Sequence, residues 1–380
     1  MSGRFWLLVS DKLGDNAQVR LLARASGLPF EERHLAMKPR WVHGKPPLHP
    51  GIDHLDPARS DPLAPPWPDL VLTIGRRLAR VALWIRARSG GRTRLALVGR
   101  PRRGLRTFDL VVVPPQYRVP EAPGIVRLHL PLFGVDADRL AAARERWRCE
   151  LAALPRPLTA VLVGGATRPF RFGAAEARRL AADLLALRAR EGGSLYVTTS
   201  RRTGPVAEEA LVAALGGDAR VFRFRPDAPD NPYLGLLAHA DRFVVTGDSV
   251  SMMVEVIRLG RPLAVWPLPH RRDPLTRLED LWRRLRDPEG PLAPLARRLL
   301  RHAPVSAPRD LEGFWRYLRA RRLAVAFGEP FRPPPPVGGE DLARAAAALR
   351  RLAVAPWERR LDPGRGSANE GRACGEPRSR

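Results

Sequence analysis

The sequence predicts an α/β protein of two Rossmann-like domains facing each other across a cleft, with C-terminal helices and a disordered basic tail. Three observations carry this. Short apolar runs end again and again in polar, Gly-containing turns that lead into helix-spaced segments. The pattern restarts after Pro155-Arg-Pro157. At 380 residues the chain is too long for one ordinary core and long enough for two.

In the first half, residues 5–10 form an apolar run that ends at Asp11-Lys-Leu-Gly-Asp-Asn16. Residues 17–26 then show helical spacing, with Leu21, Leu22 and Ala25 on one face, and Gly27 stops the helix. Strands are expected at 33–37, 69–74, 94–98, 110–113 and 127–130, with a helix over 78–88. Residues 43–68, rich in Pro, His and Asp, read as an irregular surface excursion. A charged helix over 137–154 closes the first domain, 1–154.

The second domain, 155–330, repeats the scheme. Strands are expected at 159–163, 194–198, 221–223, 242–246 and, last, 262–266. Helices are expected at 174–190, 205–214, 233–239 and 250–259. Two further helices fall at 275–286 and 311–320. Residues 331–360 read as a proline-rich linker with a closing helix over 341–352, and 361–380 as the disordered tail.

The formal net charge is +26, almost all of it from Arg, since Lys occurs only at Lys12, Lys38 and Lys45. This fits an anionic partner as well as a compositional bias toward Arg. The two cysteines, Cys149 and Cys374, imply no disulfide framework, which suits a cytoplasmic protein. No apolar run approaches the roughly 18 residues of a membrane span, so contact with the inner membrane is expected to be peripheral.

Parallel sheets bind ligands beyond the carboxyl ends of their strands, and the polar clusters fall there. The strongest is Thr246-Gly-Asp-Ser-Val-Ser-Met-Met-Val-Glu255. The start of the helix after this strand offers N–H groups to a diphosphate. Asp248, Ser249 and Ser251 stand at that turn, and Glu255 sits on the face of Ser251, where it could accept ribose hydroxyls. Helix capping by Asp248 and Ser249 is the plainer alternative. Gly164 and Gly165 allow close approach of a phosphate or simply make a tight turn. Thr199, Ser200 and Arg201 place hydroxyls beside guanidinium groups. Asn231 precedes a short helix, as its start or as a neighbour of a base.

On the first domain, an acceptor hydroxyl needs a base. Asp11 and Asp15 are both candidates, and Asn16 and Gln18 crowd the same turn. Gly75, Arg76, Arg77, Gln116 and Tyr117, at other strand ends, could hold an anionic acceptor. No metal is expected. Asp136-Ala-Asp138 begins a charged helix, and His43, His49 and His54 lie in a loop without thiolates. No phosphate-loop signature or GxGxxG after the first strand occurs, and the absence of a Tyr-x-x-x-Lys pair argues strongly against a short-chain sugar-nucleotide epimerase.

Several stretches together resemble a known family. They are Ser10-Asp-Lys-Leu-Gly-Asp-Asn-Ala-Gln18, Pro66-Trp-Pro-Asp-Leu70, Gly75-Arg-Arg77, Ala82-Leu-Trp84, Gly99-Arg-Pro101 and Phe108-Asp-Leu-Val-Val-Val-Pro-Pro-Gln-Tyr117. Leu162-Val-Gly-Gly165, Thr198-Thr-Ser-Arg-Arg-Thr203, Asn231-Pro-Tyr233 and Asp248-Ser-Val-Ser-Met252 continue the series. In order over about 5–355, they resemble the bacterial relatives of the plant elongated-mitochondria fission factor. The resemblance implies a GT-B-like fold, and for some members a likeness to lipooligosaccharide outer-core transferases. Where the family pattern has Gly-His-Glu-Asn-Gln, this chain reads Gly14-Asp-Asn-Ala-Gln18, so a His base is absent and Asp11 or Asp15 remains.

The resulting expectation is a glycosyltransferase-like protein with a nucleotide-sugar co-substrate, no bound cofactor, and an anionic glycolipid or phospholipid surface as partner. A non-catalytic scaffold of the same fold is the alternative. Specific nucleic-acid binding is disfavoured because aromatics do not interleave with the basic runs.

Overall fold

A computed structural model describes residues 3–42, 46–100, 105–226, 228–271, 273–302 and 308–354. The expected basic tail, Cys374 and His43 lie outside the described residues.

The first unit runs β1 (Phe5–Val9), α1 (Leu13–Ser26), β2 (Glu31–His34), α2 (Pro39–Val42), β3 (Leu70–Ile74), α3 (Gly75–Arg88), β4 (Arg94–Val98), β5 (Leu110–Val113) and β6 (Ile125–Arg127). Its six strands lie in the order β2-β1-β3-β4-β5-β6, all parallel. β1, β3 and β5 are buried throughout, because a parallel sheet is covered on both faces. Gly27, at φ 69°, ends α1 by donating its N–H to Arg24.

The second unit runs α4 (Ala137–Ala152), β7 (Leu158–Leu162), α5 (Ala174–Glu191), β8 (Ser194–Thr198), α6 (Pro205–Leu215), β9 (Arg220–Phe222), α7 (Tyr233–His239), β10 (Arg242–Thr246), α8 (Val250–Arg258) and β11 (Leu263–Trp266). It continues with α9 (Pro274–Leu285), α10 (Ala293–His302), α11 (Leu311–Ala320) and β12 (Val325–Ala326), and the chain closes with α12 (Glu340–Val354). The order β12-β11-β10-β7-β8-β9 is again wholly parallel. Counted from β7, this is the 3-2-1-4-5-6 order of a doubly wound sheet. The molecule is thus α/β with two Rossmann-like units.

Four expectations move. The second strand is Glu31–His34 rather than 33–37, because the polar segment pairs with β1 while Leu35, Ala36 and Met37 turn into the core beyond it. The sixth is Ile125–Arg127 rather than 127–130. α3 begins at Gly75, not residue 78. β11 is not the last strand, since β12 pairs with its outer edge. α10 was not expected.

Each sheet has its own core. Trp147 and Leu151 of α4 pack into the second, although the sequence places that helix in the first domain. Ala345, Ala346 and Leu349 of α12 return to the first. Asp341 fixes the return by accepting the N–H groups of His129 and Leu130.

Candidate functional site

Strand order reverses between β1 and β3 in the first sheet and between β7 and β10 in the second. At such points the flanking loops run to opposite faces and leave a crevice. The first sheet has a cavity there of about 300 Å³. Its lining comes from the ends of β1, β3, β4 and β5: Ser10, Lys12, Asp15, Gln18, then Gly75, Arg76 and Arg77, then Arg100, then Gln116 and Tyr117. Phe133 also lines it while packing against the second core, so the cavity adjoins the junction of the two units.

Burial pushes the Asp15 carboxyl above its ordinary value of 3.8, against the opposing pull of Lys12 and Arg77. Arg77 is buried and donates to the carbonyls of Trp41 (2.9 Å) and Val42 (2.6 Å), so it braces the wall. Arg76 Nε and Gln116 Oε1 are buried without a hydrogen-bond partner among the described residues. An unmet donor and an unmet acceptor in one cavity are what a polar ligand would satisfy. Gly75 has φ +73°, which lets β3 turn directly into α3.

The other residues of this turn divide. Asn16 is buried and exchanges hydrogen bonds with the N–H and carbonyl of Ser10, so it ties the end of β1 to α1. Gln18 lines the cavity and reaches Gly14 O at 3.4 Å. Asp11 does not line it. Its carboxylate lies 3.8 Å from His34.

The second reversal is filled by the protein's own groups. Gly164 N–H donates to Thr246 Oγ1 (2.7 Å), and Gly165 N–H donates to Asp248 (3.1 Å). The buried Asp248 also accepts from Thr246 Oγ1 (2.9 Å) and from Arg202 (2.8 Å), and Arg202 reaches Ser249 Oγ at 2.8 Å. A Cβ on Gly164 would stand 2.1 Å from Ser249 Oγ, and one on Gly165 would stand 1.9 Å from Arg202 O. Close packing of the turn therefore requires both glycines. Ser200 Oγ donates to Gly164 O at 2.7 Å. Thr199 Oγ1 donates to Glu208 at 2.6 Å.

Asn231 accepts the N–H of Tyr233 at 3.0 Å, a turn just ahead of α7, whose cap position is Pro232. Arg201 is exposed and Ser251 half-buried. Glu255 accepts a hydrogen bond from the Tyr233 hydroxyl. Burial raises the Glu255 carboxyl above 4.5, opposed by that bond. Burial and the Glu255 charge together push Tyr233 well above 10. Asp136 caps α4 through the N–H of Arg139. Among the described residues no His, Cys, Asp and Glu cluster is placed to hold a metal ion.

Sequence reasoning missed Lys12, Arg100 and Phe133 in the cavity; at the second reversal it pointed to the Arg201-Arg202 pair but placed only Arg201 in the site. Arg202 sat beside the chosen Arg201, and only the turn geometry separates them. It also missed Trp315, which donates to Gly247 O at 2.8 Å and stacks on Phe170 at 5.1 Å. A Cβ on Gly247 would meet that indole at 2.3 Å.

Comparison with known proteins places the chain in a family. The model of the mitochondrial fission ELM1 family matches residues 14–330. Mitochondrial fission protein ELM1 of Arabidopsis thaliana is 31% identical over 225 residues, 53% of this chain and 52% of that protein. The chain thus matches about half the length of that relative. An uncharacterized protein of Rickettsia prowazekii (strain Madrid E) is 22% identical over 302 residues, 70% of this chain and 83% of that protein. Among solved structures, a UDP-GlcNAc 2-epimerase of Methanocaldococcus jannaschii in complex with UDP-GlcNAc and UDP is 12% identical. That match covers 91% of this chain and 99% of the other, with a TM-score of 0.46.

Proposed function

The chain belongs to the mitochondrial fission ELM1 family, and on that premise we propose that it transfers a sugar from a nucleotide-sugar donor to an anionic envelope glycolipid or lipooligosaccharide, without a metal. The observation that carries this reading is the cavity at the first strand reversal. It combines the Asp15 carboxyl, shifted upward by burial, with Lys12, Arg76 and Arg100 and with the unmet Gln116 Oε1.

In this reading the acceptor's anionic group lies against the cations, and its hydroxyl gives its proton to Asp15. The hydroxyl oxygen attacks the anomeric carbon while the nucleoside diphosphate leaves. That leaving group rests on the start of α8 near Ser249 and Ser251, with Gly164, Gly165, Ser200 and Arg201 beside it. Arg202 turns from Asp248 toward the new charge, and Glu255 holds the ribose. Fixed cations and a helix N-terminus then stabilise what a metal would otherwise neutralise. Asp11, outside the cavity, is the weaker base.

A second reading has its own observation. The groups meant for the donor already bind one another or their neighbours: Gly165 with Asp248, Asp248 with Arg202, and Glu255 with Tyr233. That self-sufficiency favours a scaffold at a membrane or partner surface. Thermal unfolding with UDP, GDP, CMP, ADP and dTDP, without metal, on wild type, Arg202→Ala and Glu255→Ala separates the two. Ligand at a hundred times its dissociation constant adds about 2.7 kcal/mol. Stabilisation by one nucleotide, lost in both variants, supports transfer. Equal or absent shifts throughout support the scaffold.

A further inference from the structure

A surface helix normally turns its apolar stripe inward. α9 does the reverse. The residue it buries is Thr276, while Leu275, Leu278, Leu281 and Trp282 are 51%, 49%, 54% and 51% exposed. At about 100° per residue these four share an arc of roughly 120°, on the side away from Thr276. Leu292 and Leu295, 44% and 49% exposed, continue the apolar surface along the chain at the start of α10. Contiguous exposed apolar side chains of this size mark a contact surface rather than ordinary scatter.

The charges say what the contact is. The acids of this segment are held by cations of the protein. Asp273 and Glu279 each lie 3.7 Å from Arg168, Asp280 lies 2.9 Å from Arg283, and Asp287 lies 2.7 Å from Arg118. Arg277 and Arg284 are exposed and make no ion pair among the described residues. Helical spacing puts both along one border of the apolar stripe. Leu and Trp on one face with Arg at the border is the pattern of a helix lying in a lipid headgroup layer. No helix of the described residues is long and apolar enough to cross a membrane.

We propose that α9, with the start of α10, is the surface by which this protein lies on an anionic lipid bilayer. The inference deepens the lipid-surface part of the proposed function and is independent of the transfer step. It also gives that surface a position. Arg118, which binds Asp287 just past the end of α9, follows Gln116 and Tyr117 of the cavity wall. Asp310 binds Arg118 as well, and its N–H donates to Gln116 O at 2.8 Å. The bilayer-facing helix is therefore braced to the loop that would receive a lipid-linked acceptor.

The test is co-sedimentation of the full chain with phosphatidylcholine vesicles, with and without phosphatidylglycerol. Wild type is compared with Leu278→Ser/Leu281→Ser/Trp282→Ser and with Arg277→Glu/Arg284→Glu. All five sites are solvent-facing, and matching thermal midpoints check that each variant folds. The expected result is binding that needs phosphatidylglycerol, weakened about tenfold or more in either variant. Variants that bind like wild type overturn the placement on α9 but leave the lipid-surface reading standing. A wild type that binds no vesicles overturns both. Concentration-dependent self-association of wild type, lost in the Leu and Trp variant while vesicle binding persists, assigns the face to a second copy instead. Nucleotide stabilisation is read separately, so failure of the transfer reading is not confused with failure here.

Discussion

Asp11 and Asp15 stand four residues apart, yet α1 turns one into a cavity and leaves the other beside His34. The sequence makes both legible as candidates. It does not separate them, because the enclosure of Asp15 comes from Arg77 and Phe133, distant in the chain. The enclosure has a stability consequence with a definite sign. A carboxyl raised above its unfolded value contributes stability below about pH 3.8 and loses it as pH rises through the folded value. Asp15→Asn should therefore raise the unfolding midpoint at pH 7 and lose that advantage below pH 3.8, as calorimetry across pH would measure. The same variant should cut transfer by about 10²- to 10⁴-fold if Asp15 is the base. Gly165→Ala should behave oppositely. Its Cβ would collide with backbone, not with a movable side chain, so a loss of at least about 2 kcal/mol in denaturant unfolding is expected. The Gly pair was legible as a special turn. That Asp248 meets it was not, because Asp248 lies far along the chain and reaches the turn only through sheet order.

At the scale of elements, the alternation of buried runs and helix-spaced segments made most of both sheets readable. The exceptions share a cause, which is absence of a periodic signal. β2 is Glu-Glu-Arg-His and has no apolar face to show; it exists because β1 offers an open edge. β12 has two residues, too few for any period. α10 is preceded by Pro291 and carries Pro294 in its first turn, where the missing N–H is harmless, so an apparent breaker lies inside a helix. α11 is more explicit, since Asp310 caps it through Gly313 N–H at 2.8 Å. Asp310 also binds Arg118 at 2.6 Å, which joins α11 to the loop after β5. Asp310→Ala removes a cap and one arm of that pair together. The expected cost is about 2–4 kcal/mol in equilibrium unfolding, with faster amide exchange at residues 116–118.

At the scale of the whole molecule, the chain crosses between units repeatedly, and Leu300 of α10 already touches the first core before α11 rejoins the second. α4 leaves the first segment to pack on the second core, and α12 comes back to cover the first. Asp341 anchors that return. Burial works to raise its carboxyl, but the N–H groups of Leu130 and His129 and the Arg344 guanidinium hold it below 3.8. The anchor therefore contributes above the ordinary Asp range and weakens as pH falls through the lowered value. Ending the chain at residue 339 should uncover Ala345, Ala346 and Leu349 contacts on the first core and cost on the order of 4 kcal/mol. Limited proteolysis should then cut the first unit before the second. The crossing also sets an order of assembly. A ribosome releases the first sheet early, but the helix that seals its face is made after the entire second unit, roughly two hundred residues later. At about 5–20 residues per second, that is a delay of roughly 10–40 s. For that interval the nascent first unit presents an open apolar face, so it is the half synthesised first that becomes complete last, and the half a chaperone would have reason to hold.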